Sequence, residues 1–167
     1  LTGAALATTP AAVPQAAAGN AISLIPLPAQ LMVADGKFNV DLHTPIVVAD
    51  HAGSTLRTAH YLAELIARTR GLHLPVQQGA AKASAIVLLR DPHAPVANRE
   101  GYALDVTPQG IRITARDDAG LFCGAVTLWQ LLTPDAQHGA VQVTAVQIRD
   151  QPRFTWRGLM LDSARHF

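Results

Sequence analysis

The stretch Tyr102-Ala103-Leu104-Asp105-Val106-Thr107-Pro108-Gln109-Gly110-Ile111-Arg112-Ile113-Thr114-Ala115 decides how this chain folds. Tyr102, Leu104 and Val106 alternate with Ala103 and Asp105, and Ile111 and Ile113 alternate with Arg112 and Thr114. That two-residue period belongs to strands with one buried face, and Pro108-Gln109-Gly110 between them predicts a tight hairpin. Immediately after it, Asp117 or Asp118 can cap a helix whose face is Leu121, Ala125, Leu128, Trp129 and Leu132, and Thr133-Pro134 ends it. Gly120 and Gly124 stand one turn apart in that helix. Each glycine costs roughly 1 kcal/mol relative to alanine in a helix interior, so the pair predicts a close approach of helix to sheet. A hairpin followed by an amphipathic helix makes an α+β domain.

The same reading extends outward. Val141 to Ile148 is a last strand, and Ala85-Ile86-Val87-Leu88-Leu89 is the continuous apolar run of a central strand covered on both faces. Ser54 to Arg70 is an amphipathic helix with Leu56, Ala59, Leu62, Ala63 and Ile66 on one face, Ser54 or Thr55 as cap and Gly71 as stop. Pro45 to Ala49 and Leu72 to Gln77 are short strand candidates. Asp35-Gly36, between Leu31-Met32-Val33 and Lys37-Phe38-Asn39-Val40, predicts a second two-residue hairpin because both turn positions tolerate positive φ. The inventory is six or seven strands and two helices, without internal repeat.

Composition narrows the function. The chain has 167 residues, 49% hydrophobic, 15% charged and 5% aromatic, with a net charge of +1. It is too apolar for a disordered chain and too evenly charged to suggest nucleic acid or an anionic membrane as partner. One cysteine excludes an intramolecular disulfide framework. The length is also short of the roughly 250 residues of an eight-fold barrel. Eleven of the thirteen cations are Arg, which reads as a GC-rich bacterial coding bias. Residues 1–21 hold Ala, Thr and Pro without a charge. They are either a flexible leader or the tail of a secretory signal, and export is the favoured expectation. No run of 18 apolar residues occurs, so no membrane span is predicted.

Most chemistry-bearing residues have plain structural explanations. The seven histidines are scattered, with no His-x-x-x-His pair and no thiolate cluster, so no metal and no cofactor are expected. Cys123 lies on or near the buried stripe of the second helix and is read as a small hydrophobe. Asp117-Asp118 suits a helix N-terminus. Glu64 and Glu100 are the only glutamates, neither in a recognisable active-site context. There is no glycine-rich phosphate loop and no Gly-x-Ser-x-Gly. The final eighteen residues differ, because three Arg, two Asp and a His surround the apolar Gly158-Leu159-Met160-Leu161. On composition this is an active-site strand or an edge strand with solvated ends.

The sequence Trp156-Arg157-Gly158-Leu159-Met160-Leu161-Asp162-Ser163-Ala164-Arg165-His166-Phe167 closely resembles the opening of the catalytic barrel in glycoside hydrolase family 20, the β-N-acetylhexosaminidases. Every fixed position of Arg-Gly-x-x-Leu-Asp-x-(Ser/Ala)-Arg-His-(Phe/Tyr) is matched. Asp118 to Leu132 is similar to a helix of that family's N-terminal domain, with Cys123 where Tyr is common. Ile25-Pro26-Leu27-Pro28 followed by Asp35-Gly36-Lys37-Phe38 is similar to that domain's beginning. The resemblance implies a mostly antiparallel six- to seven-stranded sheet with two helices on one face, occupying residues 22–149. Residues 150–167 are then the first strand of a (β/α)8 barrel that itself lies beyond Phe167.

The implied activity is release of terminal N-acetylglucosamine or N-acetylgalactosamine by retaining, substrate-assisted catalysis. The sugar's acetamido oxygen is the nucleophile, and the Asp-Glu pair that assists it lies outside this chain. The implied partners are an oligosaccharide with a terminal N-acetylhexosamine and the protein's own barrel. One site residue carries over, Arg157, as a donor to sugar hydroxyls. Asp162, Arg165 and His166 are either further site residues or, as favoured for Asp162 and Arg165, an ion pair shaping the first loop. Arg157 precedes the apolar run, whereas barrel sites form at the C-terminal ends of strands. The alternative function is a stand-alone binding or interaction module.

Overall fold

The computed structural model describes residues 22–50, 52–80, 83–154 and 156–160. The elements are β1 (Gln30–Val40), β2 (Ile46–Val48), α1 (Gly53–Arg70), β3 (Val76–Gln78), β4 (Ile86–Arg90), β5 (Tyr102–Thr107), β6 (Gly110–Ala115), α2 (Asp118–Leu132) and β7 (Val141–Asp150). They form one seven-stranded sheet in the order β1-β7-β5-β6-β4-β2-β3. The two helices lie side by side on one face.

The sheet is mixed, which corrects the expectation of a mostly antiparallel one. β1–β7, β7–β5 and β5–β6 are antiparallel, while β6–β4, β4–β2 and β2–β3 are parallel. Parallel neighbours need a long crossover. Between β2 and β3 that crossover is α1; β4 and β6 are joined through the intervening β5, which lies on the far side of β6.

The β5–β6 hairpin forms as expected, with Tyr102 opposite Ala115 and Thr107 opposite Gly110. The Asp35-Gly36 hairpin does not. β1 runs straight through those residues, pairing with β7 on both sides of a register break between Val33 and Lys37. Gly36 has a φ of +101° there, so the dipeptide supplies positive φ to a bulge instead of a turn. The candidate strand at Leu72 begins later, at Val76. Pro75 has no N–H to donate, but its carbonyl accepts from Ile46 N–H at 2.9 Å, and Leu72 and Leu74 are buried in the lead-in.

Helix α1 packs as its spacing predicts, with Ala59, Leu62 and Ile66 fully buried and Leu56 and Ala63 at the margin. Gly71 ends it in the left-handed conformation at φ 69°. Neither Ser54 nor Thr55 caps it; the N-cap is Ala52, without a side-chain bond. Their hydroxyls serve tertiary contacts instead, Ser54 donating to Asp118 Oδ1 at 2.8 Å and Thr55 to Asp50 Oδ2 at 2.9 Å. Asp50 also accepts from the backbone of Ala52 and Arg90, so one carboxylate ties together the ends of β2 and β4 and the start of α1.

Helix α2 is capped by Asp117. Its two glycines do what their spacing suggested. A Cβ on Gly120 would lie 2.3 Å from the Gly101 carbonyl oxygen, and one on Gly124 would lie 2.5 Å from Ile113 Cγ2. The core between helices and sheet holds Ile46, Ile86, Leu88, Leu104, Ile113 and Ile148 against Leu62, Ile66, Leu121 and Leu128. Burying each such side chain stabilises by about 1.5–3 kcal/mol. On the other face, Val47, Ala85 and Val87 form one small cluster. Ala94 and Val96, from the segment between β4 and β5, cover Ala103 there. β4 is therefore buried on both faces, as its apolar run suggested.

The expected strand at Gly158 to Leu161 is not formed over its described residues. Gly158 to Met160 pair with nothing, and Leu159 and Met160 are 92% and 94% exposed. Leu161 lies outside the described residues.

Candidate functional site

Arg157 is the one carried-over site residue whose surroundings the structure describes; Asp162, Arg165 and His166 lie outside the described residues. Arg157 reaches back onto the α+β domain. Its Nη2 donates to Glu100 Oε2 at 2.6 Å and its Nη1 to the Phe154 carbonyl at 2.6 Å. The two side chains are 48% and 39% exposed. A guanidinium has five donors in a planar fork, and here two of its nitrogens are turned to protein acceptors.

Nothing local in the sequence announces Glu100 as that partner. It sits at the entrance to β5, where its N–H donates to Asn98 Oδ1 at 3.0 Å and the following Gly101 N–H donates to the Asn98 carbonyl at 3.1 Å. Cys123 of α2 is close enough for both charges to act on it. Burial pushes its thiol up, Glu100 adds to the rise and Arg157 opposes it. A thiol held protonated is a poor nucleophile, in line with its reading as a small hydrophobe.

Behind this surface lies a second polar cluster. Tyr102, almost fully buried, shares a hydrogen bond of 2.6 Å with Thr127 Oγ1 and donates to Asp150 Oδ2 at 3.2 Å. Burial raises its phenol well above the ordinary value, and the Asp150 charge adds to the rise. Asp150 Oδ1 in turn accepts from Ala29 N–H at 2.9 Å. The cluster ties β5, α2, β7 and the lead-in to β1 at one end of the sheet. Its members are satisfied by one another, which suits a structural role.

At the start of α2, Arg99 donates to Asp117 Oδ2 at 2.7 Å. That bond, followed by the one from Asp118 N–H, lowers the Asp117 carboxyl below the usual range and raises Arg99. A depressed carboxylate contributes stability that is present above the unfolded value and lost as pH falls through the folded one. The melting midpoint is therefore expected to fall below about pH 4, with a shallower acid limb in Asp117→Asn than in the parent. Melting curves from pH 7 to pH 2 test this, and superimposable limbs would exclude Asp117 as a contributor.

Among the described residues no group of three His, Cys, Asp or Glu side chains is placed to hold a metal ion. None of the described helices is long and apolar enough to cross a membrane. Glu64 is exposed on α1, facing Arg68 at 3.5 Å. The described geometry offers a docked arginine and a satisfied polar cluster, and no paired carboxylates in a cleft.

Comparison with known proteins agrees with the fold. The model for "Glycosyl hydrolase family 20, domain 2" matches residues 21–151, ending before Arg157. A beta-N-acetylhexosaminidase of Cellulomonas fimi is 34% identical over 146 residues, covering 87% of this chain and 29% of that protein. A beta-hexosaminidase of Porphyromonas gingivalis is 33% identical over 151 residues, covering 87% of this chain and 19% of that protein. The solved GH20 beta-N-acetylhexosaminidase of Streptomyces coelicolor A3(2) superposes with a TM-score of 0.72 at 36% identity, covering 84% of this chain and 28% of that one. The chain thus spans less than a third of the length of these relatives. With the family model matched over most of its residues and the same sheet and helices in the solved relative, the chain belongs to glycosyl hydrolase family 20 and carries that family's domain 2.

Proposed function

We propose that this chain is the domain-2 portion of an exo-acting β-N-acetylhexosaminidase. The observation that carries the reading is the motif from Arg157 to Phe167, directly after a domain whose relatives are named beta-hexosaminidases. The substrate class is an oligosaccharide with a terminal N-acetylglucosamine or N-acetylgalactosamine. The chemistry is retaining and substrate-assisted. The acetamido oxygen attacks the anomeric carbon, an acidic residue protonates the departing oxygen, and water then opens the cyclic intermediate with the same residue as base. That acid and its partner Asp belong to a barrel following Phe167. Neither glutamate of this chain is suited to the role, since Glu64 is solvated on a helix surface and Glu100 is engaged by Arg157.

Within this reading the chain's own contribution is to bind and to orient. Barrel sites form where strands end, so residues that follow the apolar Gly158–Leu161 segment are better placed for the sugar than those that precede it. We therefore assign the hydroxyl-binding guanidinium to Arg165 and not to Arg157. The uncharged stretch before Ile22 supports export of the protein.

The test is release of nitrophenol from nitrophenyl N-acetylglucosaminide, comparing these 167 residues with the full gene product. The full product is expected to turn over and the 167-residue chain to give no rate above buffer. Turnover by the short chain would overturn the mechanism. An inert full product would overturn the activity and favour a binding module.

A further inference from the structure

Arg157 joins two segments that are far apart in sequence. One planar cation holds Glu100, ahead of β5, and the Phe154 carbonyl, in the stretch that leaves β7, each at 2.6 Å. The carboxylate is itself firmly mounted. Asn98 fixes the backbone on both sides of it, and the Gly101 carbonyl next to it is the atom against which Gly120 of α2 is pressed. The acceptor for Arg157 thus neighbours a close approach of α2 to the start of β5.

Beyond Asp150 none of the described residues pairs in the sheet. From Gln151 to Met160 this is the one ion pair to the domain among the described residues. Phe154, Trp156, Leu159 and Met160 of the same stretch are exposed. Apolar contacts fix no direction, whereas a charged fork between two acceptors does.

We propose that Arg157 and Glu100 form a pin between domain 2 and the chain that follows it, so that Arg157 acts as a positioning residue and makes no contact with substrate. The pin fixes where the stretch from Gly158 to Met160 starts and which way it runs. Partly solvated pairs contribute little. Covered by the following domain, the same pair would lie in a lower dielectric, and removing one partner would leave a stranded charge. The idea of a following barrel rests on the hexosaminidase reading; the ion pair does not.

The experiment uses the full-length protein with Glu100→Gln, Arg157→Ala, Arg157→Lys and the exchanged variant Glu100→Arg/Arg157→Glu. Each of Glu100→Gln and Arg157→Ala is expected to lower the melting midpoint by about 3 °C. Each is also expected to speed proteolytic cutting between residues 151 and 160 several-fold, with KM for the nitrophenyl substrate within about twofold of the parent. Arg157→Lys keeps the charge without the fork and falls between. The exchanged variant recovers at least half of both losses although position 157 then has no donor for a hydroxyl. A rise of about 100-fold in KM on Arg157→Ala with unchanged melting and cutting would overturn the proposal. So would an exchanged variant no better than the singles. If the parent released no nitrophenol, the activity reading would fall while the melting and cutting results still decided the pin.

Discussion

Gly120→Ala is expected to lower the melting midpoint by about 9 °C, a loss of about 3 kcal/mol. On an exposed helix the same change stabilises by about 1 kcal/mol, so its sign here measures the packing alone. The added Cβ would stand 2.3 Å from the Gly101 carbonyl oxygen and 2.9 Å from Ala115 Cβ. A backbone carbonyl has no rotamer through which to retreat, so α2 must lift from β5 and β6. Moving it also disturbs the bond between Tyr102 and Thr127. The control is Gly53→Ala at the open start of α1, where the nearest atom is a flexible Arg57 nitrogen at 3.9 Å; it is expected to leave the midpoint unchanged or slightly raised. Thermal melts followed by circular dichroism decide it, and equal midpoints for Gly120→Ala and the parent would show that the helix has room to spare.

Arg70→Met is expected to cost about 2–3 kcal/mol. Arg70 is only 2% exposed at the C-terminus of α1. Its Nε donates to the Gly139 carbonyl at 3.4 Å, its Nη2 to the Ala140 carbonyl at 3.3 Å and its Nη1 to Asp135. Methionine keeps the buried stem and removes every donor, leaving carbonyls of the segment between α2 and β7 without their partners. Lysine keeps a charge but cannot serve acceptors spread over three residues, so Arg70→Lys is expected to fall between the two. In urea the midpoint should drop with an unchanged slope. An unchanged midpoint would mean that the segment is held by Gly139 N–H donating to the Arg70 carbonyl alone, a bond of 2.7 Å that the substitution leaves in place.

What the sequence reveals about this fold divides by distance along the chain. The β5–β6 hairpin and both helices are legible because their determinants are local: a period, a turn and a stop within a few residues. Asp35-Gly36 misleads because the dipeptide reports a backbone conformation and says nothing about which strand lies alongside. The partner of both flanks is β7, at the other end of the domain. The parallel half of the sheet is equally silent, since no short motif marks strands joined through a helix or through a strand on the far side of the sheet. The site follows the same rule. The motif from Trp156 onward is recognisable as a string of residues, but the acceptor that Arg157 meets is 57 positions away and looks in sequence like an ordinary loop glutamate. Ser54 and Thr55 look like caps, but their hydroxyls are used by carboxylates on other elements.

The pairing of Gln30 with Arg149, reinforced by the Ala29 bond to Asp150, brings the domain's two ends side by side. During synthesis β1 leaves the ribosome first, yet its partner is the last strand to appear. At roughly 5–20 residues per second, the N-terminal strand waits several seconds or more as an unpaired, bonding-competent edge. The sheet can close only when almost the whole domain has been made. Closure therefore places the chain that enters at Ala29 and the chain that leaves at Asp150 at the same corner of the finished sheet.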